Sequence, residues 1–334
     1  MAEGEPAAGD GRAAADVAGD LATEILEGEG PLPEDCPLLL GRPAALLSGG
    51  LIGMDALFGE AAANAGHLVA HWLAPSTRAS RRARELNGGR SLCQLGPEAL
   101  NHSAVTASLD LCARFRAGAE SFEELCRRDP GYEGRREDLQ RSYFQVARAS
   151  AVYVVAHRPL KAEDAGQPPL DLGGNLGWAA QMYVDRFKPV GEEEAQFCQL
   201  FLYDNSDEGN GEHCHDPTTM GRWSYWQAPN GRNGLLEGRW IPFGTDVPVL
   251  QRSHGAAWKT APMPPQPTGF YAGIGSTSLG AGSGHEEALA TLYEPRPEGQ
   301  APKAPRSGGK GGRKGEGKGR GRGSAAAASE EVDV

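Results

Sequence analysis

The sequence predicts an α/β fold: a Rossmann-like parallel sheet flanked by helices, with an irregular insertion and disordered termini. Three stretches carry that prediction. The apolar run Ala44-Ala45-Leu46-Leu47 ends in Ser48-Gly49-Gly50-Leu51-Ile52-Gly53-Met54-Asp55 and passes directly into a helical pattern. A second strand-like run, 151 to 156, is followed by Leu172-Gly173-Gly174-Asn175-Leu176-Gly177-Trp178 and another helical pattern. The third, 269 to 275, runs into Gly275-Ser276-Thr277 ahead of a closing helix over 283 to 292. Strand, glycine turn and helix in repeated order is the pattern of βα units on a parallel sheet.

Taken in chain order, residues 1 to 35 are rich in Ala, Gly, Glu, Asp and Pro and read as a flexible lead-in. The folded domain is expected over 36 to 296. After the first turn, 54 to 65 carries apolar residues at helical spacing, Gly66 supplies a stop, and 67 to 73 reads as the next strand. The polar stretch that follows predicts helices over 97 to 115, 121 to 128 and 135 to 148, with Ser121 and Glu124 spaced as a capping box. Val152, Val154 and Val155 mark a buried strand, and 176 to 187 a helix. Glu192-Glu193-Glu194 interrupts the strand that Lys188-Pro189-Val190 would begin, before 197 to 203 resumes it. The region 191 to 267 therefore reads as an insertion, with short strands at 223 to 227 and 239 to 243. From 297 to 334 the chain is a Gly-rich tail carrying Lys303, Arg306, Lys310, Arg313, Lys314, Lys318, Arg320 and Arg322.

Bulk properties narrow the function classes. With 334 residues and 39% hydrophobic content the chain can build a substantial core, and a formal charge of -11 argues against coating nucleic acid. The basic tail reads either as a solubilising extension or as a weakly RNA- or phosphate-attracting or nuclear-import segment. It holds no aromatic residue to stack on bases. The six cysteines are widely spaced with no C-x-x-C, which suggests neither a disulfide framework nor a zinc ribbon. There is no long apolar run and no basic-then-apolar leader, so the expected setting is cytoplasmic, with the nucleus open and no membrane partner.

Candidate chemistry centres on the turns. Glycine lets the backbone approach a ligand, and each following helix presents unpaired N–H groups, an arrangement suited to phosphate. Ser48, Gly49, Gly50, Gly53 and Asp55 form the first candidate loop, Gly173, Gly174, Gly177 and Trp178 the second, and Gly275, Ser276 and Thr277 the third. Asp55 either complements its helix dipole or meets ligand hydroxyls, or a magnesium ion carried by phosphate. Glu60, one to two turns on, is the other carboxylate candidate. Glu212-His213-Cys214-His215-Asp216 has metal-binding residue types but reads as a polar loop, so no metal site is expected. Trp223, Tyr225, Trp226, Trp240 and Phe243 read as the core of the insertion or as a stacking wall over a base. His67 and His71 share a strand face and read as packing residues.

The order of Ser48-Gly49-Gly50-x-x-Gly53-x-Asp55, Tyr143-x-Gln145-Val146, Ala149-Ser150-Ala151-Val152, Gly174-x-x-Gly177-Trp178-Ala179-x-Gln181-Met182 and Lys188-Pro189-Val190 resembles the SLOG superfamily of Rossmann-like domains. It is most similar to the circularly permuted, YpsA-like branch with its molybdenum-cofactor carriers. The resemblance spans roughly 44 to 292 with gaps. It implies a single domain whose glycine turns hold a nucleotide or a molybdopterin-type cofactor. Gly273-x-Gly275-Ser276 resembles a further loop of that family, but Ser278 stands where relatives often carry arginine. The phosphoribohydrolases of the superfamily use P-G-G-x-G-T-x-x-E; Trp178 and Gln181 replace its threonine and glutamate, which disfavours their glycosidase route.

The leading expectation is a sensor or carrier that binds a nucleotide-derived or other phosphorylated small molecule at the carboxyl edge of the sheet. A nucleotide-processing hydrolase cleaving an N-glycosidic or phosphate bond, with Asp55 or Glu60 as base, is the alternative, and an interaction scaffold that binds no ligand is the third. Homo-oligomerisation stays open.

Overall fold

Five-to-seven-residue runs of Ala, Leu, Val, Tyr and Phe are too short for core helices and too uniformly apolar for exposed strands, and they make a sheet buried on both faces. The computed structural model describes residues 14–28, 30–32, 34–156, 172–186, 198–205, 221–227, 239–244, 263–276 and 284–294. Its strands are β1 (Ala44–Ser48), β2 (Leu68–Leu73), β3 (Leu92–Gln94), β4 (Ala151–Ala156), β5 (Leu200–Asp204), β6 (Trp223–Gln227), β7 (Arg239–Pro242) and β8 (Gly269–Gly275). They form a single eight-stranded sheet in the order β3-β2-β1-β8-β4-β5-β6-β7. β3 to β5 in that order are parallel, and β6 and β7 add antiparallel to β5.

Helices α2 (Met54–Asn64) and α9 (Gly284–Tyr293) cover one face, while α1 (Ala14–Glu27), α5 (Ser103–Ala117), α7 (Arg136–Val146) and α8 (Gly174–Asp185) cover the other. The side-chain period of two divides each central strand between them. Leu46, Tyr153, Val155 and Tyr271 pack with Met54 and Phe58 on the first face. Leu47, Val152, Val154 and Ile274 pack with Phe144 and Trp178 on the second. Short helices α3 (Arg81–Glu85), α4 (Pro97–Leu100) and α6 (Phe122–Arg128) fill the connections.

The α/β class, the first βαβ unit, β4 and β8 stand where the sequence places them. Four expectations change. The lead-in over 1 to 35 carries α1, whose Leu21 and Ile25, one turn apart, are each 1% exposed in the core; its small apolar stripe is outweighed in composition by Ala, Gly and acid. Within the stretch 191 to 267, read as an insertion, the described strands β5, β6 and β7 join the same sheet, with β7 at its edge. Pro242 ends β7, the outermost strand, where a missing N–H interrupts no ladder. The helix over 97 to 115 is two: α4 stops, and the His102 imidazole accepts the Ala104 N–H at 3.3 Å to cap α5. α3 and the three-residue β3 were not foreseen. At α6, Ser121 Oγ accepts the Glu124 N–H at 3.2 Å, and the Glu124 carboxylate accepts the Glu120 N–H, one residue before a regular capping box. The candidate disordered tail, Lys188-Pro189-Val190 and residues 212 to 216 lie outside the described residues.

Docking of α1 is directly testable. Leu21→Ala should cost about 2–4 kcal/mol in denaturant unfolding, the price of a buried leucine cavity, where a flexible lead-in would show no change.

Candidate functional site

In an open α/β sheet ligands bind beyond the carboxyl ends of the strands, where successive connections diverge. Here the chain winds outward from β1 to β3 in one direction and from β4 to β7 in the other, and β8 fills the space between β1 and β4. The turn after β1, the end of β8 with Ser276, and the N-terminus of α8 meet at that divergence. They enclose a cleft of about 230 Å³ lined by Leu51, Asp55, Arg141, Gln145, Gly174, Asn175 and Ser276, among others.

Asp55 is the tie. Its carboxylate accepts the backbone N–H groups of Gly49, Leu51 and Gly275, fastening the β1 turn to the end of β8. The Ser48 hydroxyl donates to the Asp55 carbonyl at 3.2 Å and holds the start of α2 against β1. A Cβ at position 49 would overlap both Asp55 Oδ2 and Arg141 Nη1, so glycine is what lets these two side chains close over the turn. Gly275 is similarly required by the close approach of Met54, whose N–H reaches the Ser276 carbonyl at 3.1 Å. Burial pushes the Asp55 carboxyl up to about 6, and Arg141 and the three N–H donors only partly oppose it.

Donors of α7 and α8 line the same cleft. Arg141 is 2% exposed and 3.7 Å from the Asp138 carboxylate through Nε, yet neither Nε nor Nη1 makes a hydrogen bond among the described residues. Gln145, one turn further along α7, is equally buried, and its Nε2 has no partner there either. The first N–H groups of α8 have no acceptor within their own helix. At the rim, Arg135 donates through Nη2 to Asn175 Oδ1 at 2.5 Å.

The sequence-derived candidates divide accordingly. Asp55, Gly173, Gly174, Gly275 and Ser276 line the cleft. Ser48 and Gly49 shape it from behind. Gly50, at φ 62°, closes over the buried His71 ring, and Gly53 belongs to a separate groove with Ser80 and His285. Gly177 leaves room for the contact of Arg116 with the Leu172 carbonyl. Trp178 is a core residue, its ring meeting Phe122 edge-on at 5.7 Å. Glu60 lies away from the cleft in an exposed ion pair with Arg82 at 2.7 Å. Thr277 lies outside the described residues. Arg141 and Ser142 were missed. Their signal is faint: α7 buries Gln140, Arg141, Ser142 and Gln145, polar residues on a core-facing surface with no stripe to explain them.

No protein-family model, curated protein or solved structure matches this chain. The chemistry of the site therefore rests on its own geometry. The aromatics of β6 and β7 do not reach the cleft; Trp226 packs on Trp240 at 5.2 Å and Tyr225 on Phe243 at 5.4 Å, which makes them the core of the sheet's edge. His67 accepts or donates a 2.8 Å bond with the Tyr271 hydroxyl, and His71 is fully buried, its imidazole pushed down to about 4 by burial and by Arg141. No group of three or more metal-ligating side chains occurs among the described residues, and none of their helices is long and apolar enough to cross a membrane.

The raised Asp55 carboxyl fixes the sign of a pH effect. Between an unfolded value of about 4 and the folded value of about 6 the native state binds more protons, so this group's contribution to stability falls as pH rises through that window. Unfolding free energies of the wild type should fall relative to those of Asp55→Asn by up to about 3 kcal/mol from pH 4 to 6.5, then run parallel. Equal pH profiles would mean that Asp55 is not buried as described.

Proposed function

We propose that the cleft binds a nucleotide-derived or other phosphorylated small molecule, in the manner of a sensor or carrier. The supporting observation is the convergence of donors without a hydrogen-bond acceptor among the described residues at the divergence of the strand connections: Nε and Nη1 of Arg141, Nε2 of Gln145 and the N-terminus of α8. A planar guanidinium beside free amides is matched to phosphate oxygens. The volume, about 230 Å³, falls short of the roughly 300–1,000 Å³ of sites that enclose a drug-sized ligand, so the cleft takes a phosphate with its adjoining sugar. The amides of Gly49 and Leu51 are engaged by Asp55, which moves the phosphate away from the first turn and toward α8. The SLOG resemblance of the sequence points to the same ligand class.

One observation favours hydrolysis as a second reading. Asp55 lines the cleft with a carboxyl at about 6, a range suited to general acid–base work. Release of ribose or phosphate that disappears in Asp55→Asn would select this reading over plain binding.

Binding is read by thermal shift and calorimetry with AMP, ADP-ribose and inorganic phosphate. Saturation at about 100 times Kd should stabilise the protein by about 2.7 kcal/mol. Arg141→Gln should weaken binding roughly 10- to 100-fold, the loss of a charge-assisted hydrogen bond to phosphate. Unchanged affinity in a folded Arg141→Gln protein would remove the cleft from consideration.

A further inference from the structure

The donors of the cleft account for an anion, but Asp55 does not fit among them. A carboxylate on the wall of an anion site repels any oxyanion that is fully ionised, and burial sharpens that repulsion. It becomes a partner only for an oxygen that carries a proton.

The groups facing Asp55 leave it in this position. From α7 come Arg141 and, behind it, Asp138, 3.7 Å from the same guanidinium. On β2, under Gly50, His71 is a neutral ring that feels the same Arg141. From β1 comes Ser48, whose hydroxyl is spent on the Asp55 carbonyl. The Gly275, Leu51 and Gly49 amides also bind the carboxylate, and α8 brings Gly174, Asn175 and Leu176 to the cleft, none of them charged. Asp55 is thus the one ionisable acceptor among the cleft-lining residues, and Arg141 is the one cation.

Building on the reading of this cleft as an oxyanion site, we propose that Asp55 is its specificity-determining residue and selects phosphate groups that bring a proton, either hydrogen phosphate or a monoester in its monoprotonated form, over fully deprotonated oxyanions such as sulfate. The proton lies between an Asp55 oxygen and a phosphate oxygen, while Arg141, Gln145 and the α8 amides donate to the remaining oxygens. The second ionisation of a phosphate monoester, at about 6, is close to that of Asp55, at about 6, so the two acids share one proton readily.

Inorganic phosphate and sulfate test this, because at pH 8 both are tetrahedral dianions and they differ by one proton. In calorimetric titrations of the full chain, phosphate should bind at least about 10-fold tighter than sulfate. AMP affinity should fall about 10-fold per pH unit above about 7, where its phosphate and Asp55 have both lost the proton. In Asp55→Asn the phosphate and sulfate affinities should come within about 3-fold, and the AMP profile should flatten. Equal binding of phosphate and sulfate by the wild type overturns the proposal, as does a preference that persists in a folded Asp55→Asn protein. Should that variant fail to fold, the wild-type AMP series from pH 6 to 9 decides alone, a flat profile overturning it. If phosphate, sulfate and AMP all fail to bind, the oxyanion site itself is lost, an outcome distinct from binding without discrimination.

Discussion

The site depends on one buried carboxylate. Asp55 gathers N–H groups from the turn after β1 and from the end of β8, and it lies beside the Arg141 guanidinium of α7. Three segments far apart along the chain are thereby held in one geometry. The glycines around it follow from that constraint. Position 49 has no space for a Cβ between Asp55 and Arg141, and position 275 has none beneath Met54. A glycine turn in an α/β protein is often taken as a cradle for ligand. Here the first turn cradles the protein's own carboxylate, with Arg141 of α7 closing over the same turn and the N-terminus of α8 lining the cleft.

This arrangement places two buried, opposite charges side by side. Burial raises the Asp55 carboxyl and lowers the His71 imidazole, and Arg141 partly offsets the first shift and reinforces the second. Arg141 keeps donors unpaired that would be costly to leave so in a finished core. The surrounding layers supply the rigidity: β1, β8 and β4 are apolar on both faces and packed between helices, so the turn after β1 and the end of β8 start from a fixed platform.

Several features were legible in the residues. The run from Ala44 to Leu47, the valines of β4 and the Phe270–Ile274 stretch can be little other than buried strands, and a glycine turn followed by helical spacing fixes what comes after each. Asp55, two residues beyond Gly53, was visible as the one acid at a turn. α1 was obscured because Leu21 and Ile25 are a thin stripe in a segment dominated by Ala, Gly and acid. β6 and β7 were visible as strands, but their membership of the main sheet was not, since an antiparallel edge has no local signature that separates it from an insertion.

The sequence alone determined the α/β class, the positions of the three glycine turns and the candidacy of Asp55, because apolar periodicity and backbone permissiveness are local properties. Tertiary structure decided that the three turns converge, that β8 lies between β1 and β4, that Trp178, Gly177 and Glu60 serve packing and surface pairing, and that Arg141 and Gln145 wall the cleft. These are consequences of strand order and of helix rotation about its own axis. Both are settled by contacts between residues tens to hundreds of positions apart, about which a single turn or helix pattern carries no information.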